Sequence, residues 1–272
     1  MKLSVVTTMY YSQNYLREFY ERTLIIIKEL GLQYEFVFVN DGSPNNSLAV
    51  AGELQEGDAN VVIVELSRNF GHHKAIVAGL RETRGDLIFL IDCDLEEQPE
   101  LLKAFYAKLI SENTDVVYGV QNARKGRFKE RFFGAVFYKV FNHFAYQKIP
   151  ENIIMSRLMR RNYVDALMKY DEKEFFLGAT FANVGFRQTP VAVNKRDKGS
   201  STYNLRKRVT LMVNAIVSSS DKPLIYVFYV GAFISMSVMI GVVIVLYRHF
   251  FIRKMAVGWP SLILSIWFLS GL

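Results

Sequence analysis

Three segments rich in β-branched and aromatic residues, LSVVTTMY from Leu3, YEFVFVND from Tyr34 and LIFLIDCD from Leu87, each run from apolar residues into hydroxyl or carboxylate side chains. A fourth, NVVIVELS from Asn60, lies between the last two, and helical patterns such as NYLREFYERTLIIIKEL separate the others. Alternation of strand and helix constrains the chain to an α/β domain with a mostly parallel sheet. In such sheets ligands bind at the carboxyl ends of the strands. Thr8 and Tyr10, Asp41, Ser67 to Asn69 and Asp92 to Asp94 stand at those ends, so a polar cluster is expected along one edge.

Asp92 and Asp94 are the most pointed members of that cluster. In extended backbone, residues two apart face the same side, so both carboxylates can address one ligand, and a hard cation such as Mg²⁺ suits an all-oxygen pair. The alternative is a solvated turn, because Asp favours turns and helix caps. Cys93, the one cysteine, excludes an internal disulfide framework and reads as a small packing residue. His72 and His73 have no further ligand at metal-site spacing, which leaves them a loop or helix-start role.

The net charge of +7 is unevenly spread: seven basic and two acidic residues fall between Lys195 and Lys222, and Arg248, Arg253 and Lys254 add three more positive charges. That basic excess flanks the apolar segments, as at a membrane surface, and argues against a nucleic-acid face. Leu224 to Tyr247 is 24 residues without a charge, longer than a hydrocarbon core of about 30 Å requires at about 1.5 Å per residue. Ala256 to Leu272 is a second apolar run that stops after 17 residues without a polar anchor, as a truncated span would. No signal peptide is expected, because KLSVVTTMYYS turns polar almost at once. The positive charge before the first span then predicts a cytoplasmic N-terminal domain and makes the NNS at Asn45 a chance glycosylation match. Two amphipathic stretches complete the pattern. One carries Phe133, Val136, Phe137, Val140, Phe141 and Phe144 on one face and reads as either a core or an interface helix. The other, with Leu205, Val209, Met212, Val213 and Ile216, reads as an interface helix.

Taken in order, FVNDGSPNNS, LSRNFGHHKAIVAGL, GDLIFLIDCDLEEQPELL, RKGRFKERFFGAVFYKVFN, RDKGSSTYNLRKR and SDKPL resemble the family 2 glycosyltransferases of the polyisoprenyl-phosphate type. Relatives of that type include dolichol-phosphate mannose synthase and bacterial polyprenyl-phosphate glucosyltransferases, and the resemblance covers essentially the whole chain. It implies a nucleotide-diphospho-sugar transferase (glycosyltransferase A-type) fold and a membrane-bound, inverting transfer from a nucleotide sugar to a lipid-linked acceptor, polyprenyl phosphate, with Mg²⁺ or Mn²⁺ as cofactor. It divides the chain into a cytoplasmic domain at 1–202 (donor half 1–123, acceptor half 124–202), an interface helix at 203–222 and spans at 223–248 and 256–272, in a multi-pass inner-membrane protein. Asp94 with Asp92 would hold the metal. Asp92, Asp94 and Arg157 would be catalytic, and Thr8, Tyr10, Asp41, Gly42, Ser43, Asn69 and Asp92 would bind the donor. Arg124, Lys129, Arg131, Arg196, Ser201 and Tyr203 would contact phosphate or acceptor. Self-association as a homo-oligomer stays open.

Three departures from the family pattern stand out. Thr8 replaces a usual Pro, Gln121 replaces a common Arg, and IMSRL replaces GDFRL, so that Met155 occupies the position of an Asp with a proposed base or positioning role. Asp171, Glu172 or Glu174 could substitute for it. The departures keep two alternatives in view: transfer to a hydroxyl of a lipid-linked saccharide, and a non-catalytic nucleotide-sugar-binding protein.

Overall fold

The computed structural model describes residues 1–121, 138–144, 152–170, 177–193 and 220–252, with single positions at 213, 216–217, 258, 262, 265–266 and 269. Two units are present, Met1–Ser219 and Ser220–Leu272.

In the first unit the expected alternation is realised. Strands β1 (Lys2–Met9), β2 (Gln33–Asn40), β3 (Val61–Glu65) and β4 (Leu87–Leu90) are separated by helices α1 (Leu16–Glu29), α2 (Ser47–Gly57) and α3 (His72–Glu82). Then come α4 (Leu101–Ser111), β5 (Val116–Gln121), β6 (Ile153–Arg160), α5 (Arg161–Leu167), α6 (Leu177–Asn183) and β7 (Gln188–Val193). One seven-stranded sheet in the order β3-β2-β1-β4-β6-β5-β7 results, with β6 antiparallel to both neighbours and the remaining pairs parallel. The residues expected at strand ends, from Tyr10 to Asp92, therefore do lie along one edge.

Side-chain alternation divides the strands between two cores. Phe36 and Phe38 face a cluster with Leu16, Phe19, Ile27, Leu102 and Phe105, which belongs to α1 and α4. Val37 and Val39 face Ala75, Ile76, Leu80, Tyr163 and Phe181 on the opposite side, under α3, α5 and α6. A sheet covered on both faces explains why β2 and β4 read as unbroken apolar runs. Cys93 is buried in the first of these cores, as its packing role requires, and burial raises its thiol pKa to about 11.

Residues 138–144 are helical, and Phe141 is fully buried with Ala179 and Ile216. At that point the core reading of the first amphipathic stretch holds. Ile216, expected on an interface face with Val213, is buried while Val213 is exposed.

The second unit contains helix α7 (Lys222–Phe251), which begins with Pro223 in its first turn, where a missing amide hydrogen costs nothing. Lys222–Arg248 is long and apolar enough to cross a membrane, and little of it is buried within the chain. Among the described residues it is the one such helix. The second expected span, 256–272, falls mostly outside the described residues, so a multi-pass arrangement is not established.

Candidate active site

The site is built by the loops that leave β1, β2, β3 and β4. The chain exits β2 through Asp41, which is 2% exposed and accepts hydrogen bonds from the Phe70 amide at 2.7 Å and the Gly71 amide at 3.0 Å. Both carboxylate oxygens are thus used to hold the loop after β3 and the start of α3. Gly42 follows at φ +61°, and a Cβ there would lie 2.6 Å from the backbone of Arg68 and Asn69, so two loops meet where only glycine fits. Ser43 accepts the Tyr11 amide at 2.9 Å, and its own amide donates to Asn40 Oδ1 at 3.1 Å. Tyr10 is exposed, with its ring edge-on to that of Tyr11 at 4.8 Å between centroids. Tyr11 has φ 57°, costly for an aromatic residue and held by the Ser43 contact. The sequence reading passed over Tyr11; its adjacency to Tyr10 was the available signal.

The acidic turn leaves β4 with burial that alternates residue by residue: Ile91, Cys93 and Leu95 are buried, whereas Asp92 and Asp94 are half-exposed. Asp94 Oδ1 accepts the Glu96 amide at 2.9 Å, and Leu95 takes a left-handed φ of 61°. Glu97, nearly fully buried, then accepts the amide of Ser156 at 3.1 Å and its hydroxyl, which ties the acidic turn to β6. Two half-exposed carboxylates, all-oxygen donors, are of the type that a hard divalent cation takes. Among the described residues no three His, Cys, Asp or Glu side chains converge as in an all-protein site.

His72 occupies the first position of α3, a helix-start role as the sequence suggested, and it does more. Its Nδ1 lies 3.0 Å from Thr8 Oγ1, and its Nε2 lies 3.5 Å from Asp92 Oδ1. Nothing local in the sequence announces this, because the three residues sit on different elements.

Arg157 is brought beside this edge by β6, where it pairs with Leu90 across the sheet. It is 2% exposed, its guanidinium lies 3.4 Å over the Phe181 ring, and Nε donates to the carbonyl of Met155 at 3.1 Å. Among the described residues Nη1 has no hydrogen-bond partner. Burial lowers its pKa to about 10, against the favourable fields of Tyr163, Glu97 and Tyr118, so it stays cationic at neutral pH. Arg124, Lys129, Arg131, Asp171, Glu172, Glu174, Arg196, Ser201 and Tyr203 lie outside the described residues.

Residues 4–168 match the glycosyl transferase family 2 domain. The chain belongs to that family. It is 42% identical over 273 residues to a Mycobacterium tuberculosis protein named among glycosyltransferases, covering 100% of this chain and 79% of the relative. It is 34% identical over 275 residues to the Bacillus subtilis glycosyltransferase YkcC, covering 100% and 85%. Solved structures with the same fold include mannosyl-3-phosphoglycerate synthase from Rubrobacter xylanophilus, with TM-score 0.55, 12% identity and coverage of 80% and 72%. Another is S. aureus TarS 1-349, with TM-score 0.51, 18% identity and coverage of 100% and 80%. The expected family 2 membership and glycosyltransferase A-type architecture are borne out, and the chain is a glycosyltransferase.

Proposed function

We propose that this glycosyltransferase moves a sugar from a nucleotide sugar to polyprenyl phosphate at the cytoplasmic face of a membrane, with inversion at the anomeric carbon. The observation that carries the acceptor is α7: an apolar helix of membrane-spanning length, almost unburied, entered from a segment with seven basic and two acidic residues. The chain would lie in the inner membrane, with 256–272 as a further span.

The donor side follows from the β-strand exits. Tyr10 offers an exposed ring for the base, and Gly42, Ser43 and Asn69 lie on loops that meet at the same edge of the sheet. Asp41 supports this surface by fixing the β3 loop rather than by reaching the donor itself. A Mg²⁺ or Mn²⁺ ion held by Asp94 and Asp92 would neutralise charge on the departing diphosphate. Thr8 orients the acidic edge through His72, and Arg157 holds the β6 backbone that faces it.

Met155 supports the phosphate acceptor. A sugar hydroxyl must lose a proton during attack and gains about 10² to 10⁴ in rate from a positioned base. A phosphate monoester has a second pKa of about 6 and is already an anionic nucleophile near neutral pH. It needs cationic positioning instead, which Arg124, Lys129, Arg131 and Arg196 would supply together with Ser201 and Tyr203.

The test is product chemistry. Membranes containing the full chain are incubated with a panel of radiolabelled nucleotide sugars, and the lipid fraction is treated with mild acid. Release of a labelled monosaccharide is expected. Recovery of only a lengthened oligosaccharide would instead assign a saccharide hydroxyl as acceptor, with Asp171, Glu172 or Glu174 as the base to examine.

A further inference from the structure

We infer that Thr8 and His72 form a positioning relay that sets the orientation of the Asp92 carboxylate toward the cation, an inference that rests on the reading of Asp92 and Asp94 as the metal-holding pair. Three elements converge to make it. Thr8 is the penultimate residue of β1, His72 opens α3, and Asp92 follows β4, the strand that pairs with β1 through Val6 and Leu90. Crossing α3 over β1 and β2 is what carries an imidazole from a loop after β3 to the mouth of β4.

Hydrogen-bond chemistry fixes the direction of the relay. An ionised carboxylate only accepts, so the ring nitrogen facing Asp92 at 3.5 Å, Nε2, is the one that carries hydrogen. In the neutral ring Nδ1 is then an acceptor, and the Thr8 hydroxyl 3.0 Å away is its donor. A proline at position 8 would have no hydroxyl, so the departure from the family pattern supplies the group that holds this ring. The 3.5 Å separation is longer than a good hydrogen bond, and it leaves the carboxylate its ligand capacity while biasing which oxygen turns outward. Support of this kind, from a group behind a metal ligand, is worth about 10- to 100-fold in metal affinity when removed. The anchoring is robust because α3 starts where Asp41 grips the amides of Phe70 and Gly71, two residues and one residue before His72.

The experiment titrates full-length protein in detergent with Mn²⁺ alone and reads free Mn²⁺ by electron paramagnetic resonance, alongside thermal melting of each variant. His72→Ala is expected to weaken Mn²⁺ about tenfold without a change in melting temperature. His72→Gln, which keeps a donor at the reach of Nε2, is expected to restore most of that loss. Thr8→Val should weaken binding by less, and adding it to His72→Ala should change nothing more, because the two act through one contact. Unchanged affinity in His72→Ala, no rescue by Gln, or additive losses in the double variant would overturn the relay. If His72→Ala fails to fold, Thr8→Val decides alone, and wild-type affinity there overturns it. Asp94→Asn separates the two levels: if it binds Mn²⁺ as wild type does, the metal reading itself falls and the relay with it.

Discussion

The two ends of the sheet use the same kinds of side chain to opposite effect. At the amino end Glu35 is nearly fully buried, and its oxygens accept from Ser4 Oγ, the Arg84 amide and Lys2 Nζ. Ser4 Oγ in turn accepts the Gly85 amide at 2.8 Å, and Arg161 clamps the Gly85 carbonyl from Nε at 2.9 Å and from Nη2 at 2.6 Å. Gly85 sits so close that a Cβ would lie 2.6 Å from Ser4 Oγ. At the carboxyl end Asp92 and Asp94 are half-exposed, Tyr10 and Tyr11 are open to solvent, and Tyr11 and Leu95 sit in left-handed backbone. The first network is closed on itself and stabilises the fold. The second is open to solvent, as a binding edge must be.

That contrast can be broken from either side. The largest effect is expected for Asp94→Asn, which should lower turnover by about 10³ or more while the melting temperature stays at the wild-type value, because a half-exposed carboxylate contributes little to folding. A parallel fall in stability would show that the two ends are not separable. Glu35→Ala should do the reverse, costing roughly 3 kcal/mol by denaturant unfolding as Lys2, Ser4 and the Arg84 amide lose their acceptor, with turnover per folded molecule unchanged. Gly42→Ala lies between them, since its φ and the 2.6 Å approach to Arg68 and Asn69 force the β3 loop outward. It should lose about 1–3 kcal/mol and raise the donor KM together.

The smallest effect concerns acid stability. Burial alone would raise the Glu35 pKa, but hydrogen bonds from Lys2, Ser4 and Arg84 outweigh it and leave the group below its ordinary value. A carboxyl with a depressed folded pKa contributes stability that is present above its unfolded value of about 4.5 and is lost as pH falls through the folded value. Glu35→Gln should therefore flatten the acid limb of the stability profile below about pH 4.5 relative to wild type.

The sequence was most legible where the physics is local. Strand runs such as YEFVFVND announce themselves by composition, and Asp92 and Asp94 by a spacing of two at the end of one of them. The direction of β6 was not visible, because IIMSRLMR has the same apolar content whichever way it runs. His72 was legible as a helix start and not as a neighbour of Asp92, a contact made by strand order rather than by spacing. Arg157 carries a charge that a sequence places at a surface, and only the fold reveals Phe181 beneath it. Asp41 keeps its place at the strand end, yet its two oxygens are taken up by backbone amides, a use that no motif specifies.

The central claim is that the carboxyl edge works through a divalent cation while the rest of the fold does not need one. The most direct measurement is turnover of the full-length wild-type protein, stripped with excess chelator and then titrated with Mn²⁺ or Mg²⁺, with melting followed in the same samples. The account predicts loss of turnover on stripping, unchanged melting, and full recovery on return of the metal. Near-normal turnover of the chelated protein would contradict it.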